Sequence, residues 1–160
     1  MKIVNETDKD ISHIVEMLED FYPFAKNRLN FDKEPILIFK SDVENGKDIL
    51  GKTAYYEPAS MNVTVFTDNR HPKDIMRSLS HELVHHAQNC DGHFDKNLGV
   101  GEGYAQNDAH LRKMEEDAYL RGNMCFRDWE DNYKQTNRAF NNAINERNER
   151  LYNELLRRFI

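Results

Sequence analysis

Residues 81 to 88 read HELVHHAQ and hold three of the chain's seven histidines. His81 and His85 stand four positions apart. On an α-helix that spacing sets two side chains on one face, about 40° apart around the axis, so their ring nitrogens can converge on one ion. Zinc suits neutral imidazole, usually takes four ligands, and in catalytic sites leaves one position to a water whose pKa falls to about 7. Glu82 projects about 100° from His81, beside such an ion rather than onto it. A carboxylate placed there can serve that water as general base. His86 falls near the apolar margin of the helix and reads as a hydrogen-bonded or packed side chain rather than a ligand.

Two histidines and a water leave one position to fill. Glu115, in MEEDAY at 114–119, is the leading choice. On a helix over 108–121 it shares a face with Leu111, Ala118 and Gly122, and a carboxylate on a small apolar face costs free energy unless a cation meets it. Glu116 lies about 100° further round, beside Arg112 and Lys113. Pairing of Glu115 with Arg112 or Arg121 is the ordinary alternative. Asp91, six residues after His85, is a rival, because one HExxH class takes its third ligand there after a glycine that turns the chain. The corresponding position here is Gln88, which continues the helix, and Asp91-Gly92 reads as helix-end chemistry. His93, Glu102 and Cys90 are weaker rivals, Cys90 being the kind of small residue usually just buried.

These residues require a helix with one buried face. Ile75, Leu79, Leu83 and Ala87 form an apolar stripe distinct from Ser78, His81, His85 and Gln88, which predicts a helix over 72–90. It starts at His71-Pro72 and stops at Asp91-Gly92. Upstream, PILIFK (35–40) reads as a buried strand and SDVENGKDILG as a loop turning at Asn45-Gly46. KTAYYE and MNVTVFT read as a hairpin about Pro58-Ala59-Ser60, with Met61, Val63 and Val65 on one face and Asn62, Thr64 and Phe66 on the other. A first helix is expected from Thr7, capped by that threonine, carrying Ile11, Ile14, Val15, Leu18 and Phe21, and broken or kinked at Pro23. HFDKNLGVGEGYAQ must be loop, and Gly122 should close the helix over 108–121. From about 126 the pattern is one long helix with Trp129, Tyr133, Phe140, Ile144, Leu151 and Leu155 on a stripe interrupted by Arg147. Helices before and after a small sheet make the fold class α+β. The expected division is a catalytic domain over 1–125 and a C-terminal helix over 126–160, which packs on that domain or projects from it for self-association or partner binding.

Composition narrows the function classes. The 160 residues suit a single hydrophobic core. A formal charge of −6 gives no reason to expect nucleic acid or an anionic membrane surface as partner. No apolar run is long enough to span a bilayer, and MKIVNETDKDIS lacks the apolar core of a secretory signal. Two cysteines, Cys90 and Cys125, do not make a disulfide framework, so the expected setting is reducing and cytoplasmic.

HELVHHAQ followed some thirty residues later by EEDAY resembles the gluzincin zinc metallopeptidases, in particular their small single-domain forms. There HExxH lies on one helix and a downstream E-x-x-A supplies a glutamate ligand. The resemblance covers about 61–122. It implies a small zincin-like fold, a Zn2+ ion on His81, His85 and Glu115, Glu82 as general base and acid, and a peptide or protein substrate. It also implies a short twisted sheet whose edge strand, at 62–67, lies just before the HExxH helix and receives the peptide by β-augmentation. The chain departs from the pattern at Tyr119, where the E-x-x-A-D form has an aspartate that orients the first histidine; Asp74 and Asp117 are alternatives for that task. Attack on an amide also needs an oxyanion stabiliser, for which Tyr119 and Tyr104 are candidates, with His110 behind them. The competing class is a catalytically silent zincin-type binding module acting through its edge strand or long C-terminal helix. A hydrolase of a non-peptide amide comes third.

Overall fold

The computed structural model describes residues 1–94 and 104–159, except the side chains at 104–108, 138–144 and 159. The order of elements is β1 (Lys2–Asn5), α1 (Ser12–Leu29), β2 (Ile36–Lys40), the single-turn α2 (Val43–Gly46), β3 (Ala54–Glu57), β4 (Asn62–Phe66), α3 (Pro72–Cys90) and α4 (Tyr104–Phe159). The fold is α+β. The chain divides into two units, Met1–Phe126 and Arg127–Ile160. Among the described residues no helix is long and apolar enough to cross a membrane.

The four strands form one mixed sheet in the order β1-β2-β4-β3. β1 and β4 run parallel to β2, and β3 returns antiparallel along β4. Leu37 and Phe39 of β2 stand opposite Val63 and Val65 of β4, and all four are buried. Over them lie Ile75, Met76, Leu79 and Leu83 of α3 and Leu18, Phe21 and Ala25 of α1, all buried. Met114, Ala118, Cys125 and Phe126 of α4 complete the core, with Phe21 and Phe126 packed edge to face at 6.1 Å. Asp68, itself buried, accepts hydrogen bonds from Lys9 Nζ, Ser41 Oγ and the Asp42 amide, and so ties the segments after β1 and β2 to the segment after β4.

Several sequence-based expectations require correction. The strand at 62–67 is not an edge. β4 pairs with β2 on one side and β3 on the other, so the edges are β1 and β3, and β3 is the one beside β4. Met61 belongs to the turn, at φ 56°, rather than to the strand. The first helix begins at Ser12, because Asp10 rather than Thr7 accepts from the first helical amide and hydroxyl, at 2.9 and 2.6 Å from Ser12 N and Oγ. Thr7 instead hydrogen-bonds Asn5 Oδ1. α1 continues through Pro23, since Phe21, Tyr22 and Ala25 are buried around it and that burial outweighs one missing backbone bond. Asn45-Gly46 closes α2, a helical turn capped by Asp42, inside the expected loop. Gly122 does not end a helix either, as α4 runs on through it.

In the second unit, Trp129 and Tyr133 stack at 4.7 Å, and Leu151 and Leu155 are exposed. The side chains of Phe140 and Ile144 lie outside the described residues, as do residues 95–103 of the segment expected to be loop, Glu102 included; the last three residues of that segment, 104–106, belong to α4.

Candidate metal centre

α3 starts and stops where its sequence dictates. Pro72 takes the first helical position, the His71 side chain accepts from the Lys73 amide, and Gly92 follows the end at φ +82°. Between these ends His81 and His85 share one face, with ring centroids 4.9 Å apart. Glu115 reaches both from α4. Its Oε1 lies 3.0 Å from His85 Nε2 and its Oε2 3.3 Å from His81 Nε2. One ligand atom from each of the three residues falls within 4.8 Å of the others. Glu116 and Asp91 are exposed and stand outside this cluster, Asp91 being the residue that ends α3. The His93 carbonyl accepts from the His110 ring, and Cys90 Sγ faces His86.

The two helices meet closely because Gly122 lets them. A Cβ at 122 would lie 2.9 Å from His81 Cα, nearer than such atoms pack. Ser80 Oγ donates to the Gly122 carbonyl at 2.7 Å across the same contact. Glu115 stands about two turns before Gly122 on α4, and this close seam holds it opposite the histidines.

The protonation pattern of His85 follows from its neighbour. Gln88 Nε2 donates to the Met114 carbonyl at 3.0 Å and to Asp117 Oδ2 at 2.9 Å. Both partners are acceptors only, so the amide nitrogen must face them and Oε1 must face His85. Oε1 lies 2.8 Å from His85 Nδ1, which therefore carries the hydrogen. In the neutral ring Nε2 is then a lone pair, and it points at a carboxylate oxygen. Two acceptors 3.0 Å apart repel unless a proton or a cation lies between them. Two imidazoles and one carboxylate form a donor set suited to zinc, with a fourth position left over.

Burial and the neighbouring His85 push the His81 pKa down, against the pull of Glu115, so the ring favours its neutral form. Burial first, then the Glu115 carboxylate, push the Glu82 carboxyl up to about 7, with Lys52 pulling the other way. Tyr119 does not orient His81 by a hydrogen bond. Its ring packs edge to face on His81 at 4.7 Å. Asp74 is occupied by Arg77, and Asp117 by Gln88 and Arg121. The Tyr104 side chain lies outside the described residues.

His86 is saturated. Its Nε2 donates to the Lys33 carbonyl at 2.7 Å, so Nδ1 accepts, here from the Tyr56 hydroxyl at 2.9 Å. Phe31 packs edge to face on the ring at 4.8 Å.

Two clefts flank the cluster. One, of about 540 Å³, is lined by residues including Lys52, Ala54, Arg77, His81, Glu82 and Tyr119. The other, of about 250 Å³, is lined by Ala54, Tyr55, Tyr56, Glu82, His85, Phe94 and Glu115. Glu82, Glu115 and Ala54 belong to both. β3 runs between them with one edge unpaired in the sheet. The Phe66 amide donates to the Thr53 carbonyl, and Ala54 stands opposite Val65. In an antiparallel ladder the direction alternates, so Thr53 and Tyr55 turn their backbone groups toward β4 while Ala54 and Tyr56 turn theirs outward.

Sequence reasoning placed His81, Glu82, His85 and Glu115 together here, but it missed the parts of Gln88, Gly122 and β3. Gln88 stands one turn from His85 on the same face, a legible i,i+3 signal. Ala118 and Gly122, four apart, signal a helix face able to approach another closely. No family model matches the chain, and no curated protein or solved structure matches it either.

Proposed function

We propose that this protein is a zinc-dependent peptidase of gluzincin type. One observation carries the proposal: His85 Nε2, on a ring held through Nδ1 by Gln88, lies 3.0 Å from the Glu115 carboxylate with His81 Nε2 alongside. With the rings neutral that arrangement sets acceptor against acceptor, and a divalent cation between them relieves it. His81, His85 and Glu115 would hold zinc, which supplies a Lewis acid that acidifies a water and polarises a carbonyl.

The chain's own residues do the rest. Glu82, on the wall common to both clefts, takes a proton from the attacking water and returns it to the departing amine. The outward amide and carbonyl groups of Ala54 and Tyr56 offer an extended peptide the hydrogen bonds of a fifth strand, which favours a peptide over a compact amide as substrate. Tyr119, whose ring packs on His81 in the wall of the same cleft, would donate a hydrogen bond to the developing oxyanion.

Glu82→Gln tests this reading. Zinc should remain bound at one equivalent by metal analysis, while hydrolysis of a peptide library falls by about 10²- to 10⁴-fold. Glu115→Ala should cost zinc affinity and Glu116→Ala should not. Undiminished hydrolysis by the Glu82→Gln protein would overturn the mechanism.

A further inference from the structure

We infer that the cleft selects peptides with a carboxylate just after the scissile bond, read by Lys52 and Arg77. This rests on the peptidase reading above and assigns its substrate class.

The direction of the peptide follows from β3. Antiparallel pairing is slightly the more stable kind, and β3 already makes it with β4. A peptide added antiparallel to β3 runs from the Tyr56 end toward Lys52. Its N-terminal part then lies in the cleft beside His85, and the part after the scissile bond lies in the cleft beside His81. Ala54, common to both clefts, marks the crossing.

The two clefts differ in chemistry along that direction. The one beside His85 is walled by Tyr55, Tyr56 and Phe94, with no cation among its described lining residues. The one beside His81 carries Lys52 and Arg77. Lys52 is exposed, its ammonium resting 4.5 Å from the centre of the Tyr55 ring. Arg77 gives one hydrogen bond to Asp74 at 2.8 Å. A guanidinium has five donors, so that bond does not exhaust it. Lys52 stands two residues before Ala54, about 7 Å along the strand, in register with the first or second residue after the cut. An aromatic residue before the bond and a carboxylate after it therefore match both walls. Either an Asp or Glu side chain or the α-carboxylate of a short peptide supplies the same chemistry.

The test uses the full zinc-loaded chain and quenched-fluorescence peptides of one sequence. They carry Asp, Asn or Lys in the two positions after an aromatic residue, each as free acid and as C-terminal amide. Expected is a kcat/KM at least about tenfold higher for Asp than for Lys, falling to parity or inverting in Lys52→Glu/Arg77→Glu. A preference that persists in the amides identifies a side-chain carboxylate, and one that needs the free acid identifies the C-terminus; either supports the inference. Binding of the same peptides to the Glu82→Gln protein, by fluorescence anisotropy, should show the same order in Kd. Lys52→Glu alone, on an exposed side chain, serves if the double variant does not fold. Cleavage without charge preference, or with a preference for acid before the bond, overturns this inference and leaves the peptidase reading standing. Failure to cleave any peptide overturns both.

Discussion

Gln88 spends its amide in three directions, and only one of them concerns the His81–His85–Glu115 cluster. Its nitrogen satisfies a helix carbonyl and Asp117, and that obligation is what turns its oxygen to His85. Gln88→Leu, of similar size, should lower zinc affinity about 10- to 100-fold by releasing the His85 ring, measured by competition with a chelator. It should also cost about 1–3 kcal/mol in denaturant titration, because the buried His85 Nδ1–H loses its acceptor. Gln88→Glu keeps an acceptor for His85 while setting a second carboxylate beside Asp117, so it should lose stability with the smaller loss of affinity. At this scale the motif was readable and its support was not. His81, Glu82 and His85 announce themselves by spacing within five residues, whereas the partners that orient Gln88 lie 26 and 29 positions away. Tyr119 shows the same limit. Its position in the pattern was visible, but that its ring packs on His81 depends on how α4 is rotated.

Elements were legible where local chemistry alone decides them. α3 spans Pro72–Cys90 as expected, since proline at its start and glycine after its end require no knowledge of the rest of the fold. Gly122 misled because its local meaning, a stop, is overridden by tertiary packing, and Pro23 does not break α1 for the same reason. Proline gives up one hydrogen bond inside α1 amid buried aromatic neighbours, and Gly122 is there for close approach rather than termination. The edge strand was misplaced for a related reason. A hairpin shows in the sequence, but which of its two strands faces another strand depends on β2, more than twenty residues upstream. Gly122→Ala should therefore raise intrinsic helix propensity and still destabilise, by about 1–3 kcal/mol, since its methyl group meets the His81 backbone. Zinc affinity should fall with it as Glu115 is levered away. A thermal melt and a metal titration on the one variant check both, and a stabilised variant with intact affinity would contradict the seam described here.

For the whole molecule the proposed ligands come from two helices that the sequence separates. Any metal bound only by the folded arrangement stabilises it by mass action, by about 2.7 kcal/mol at a hundredfold excess over Kd. Zinc should thus raise Tm, EDTA should reverse the rise, and Glu115→Ala should abolish most of it, all readable by calorimetry. The α+β class was legible at this scale because strands and helices differ in hydrophobic period. The order β1-β2-β4-β3 was not, because strand adjacency leaves no local trace.

His85 and Glu115 stand 30 positions apart in the chain, yet Nε2 of one lies 3.0 Å from Oε1 of the other. A ribosome that has made α3 but not yet α4 has produced two donors and no third. If the proposed site holds zinc, full affinity would arrive only when α4 docks along Gly122, and the site would act as a checkpoint on assembly. Metal capture would then be among the last acts of folding, and a chain with α4 misdocked would remain empty and inert.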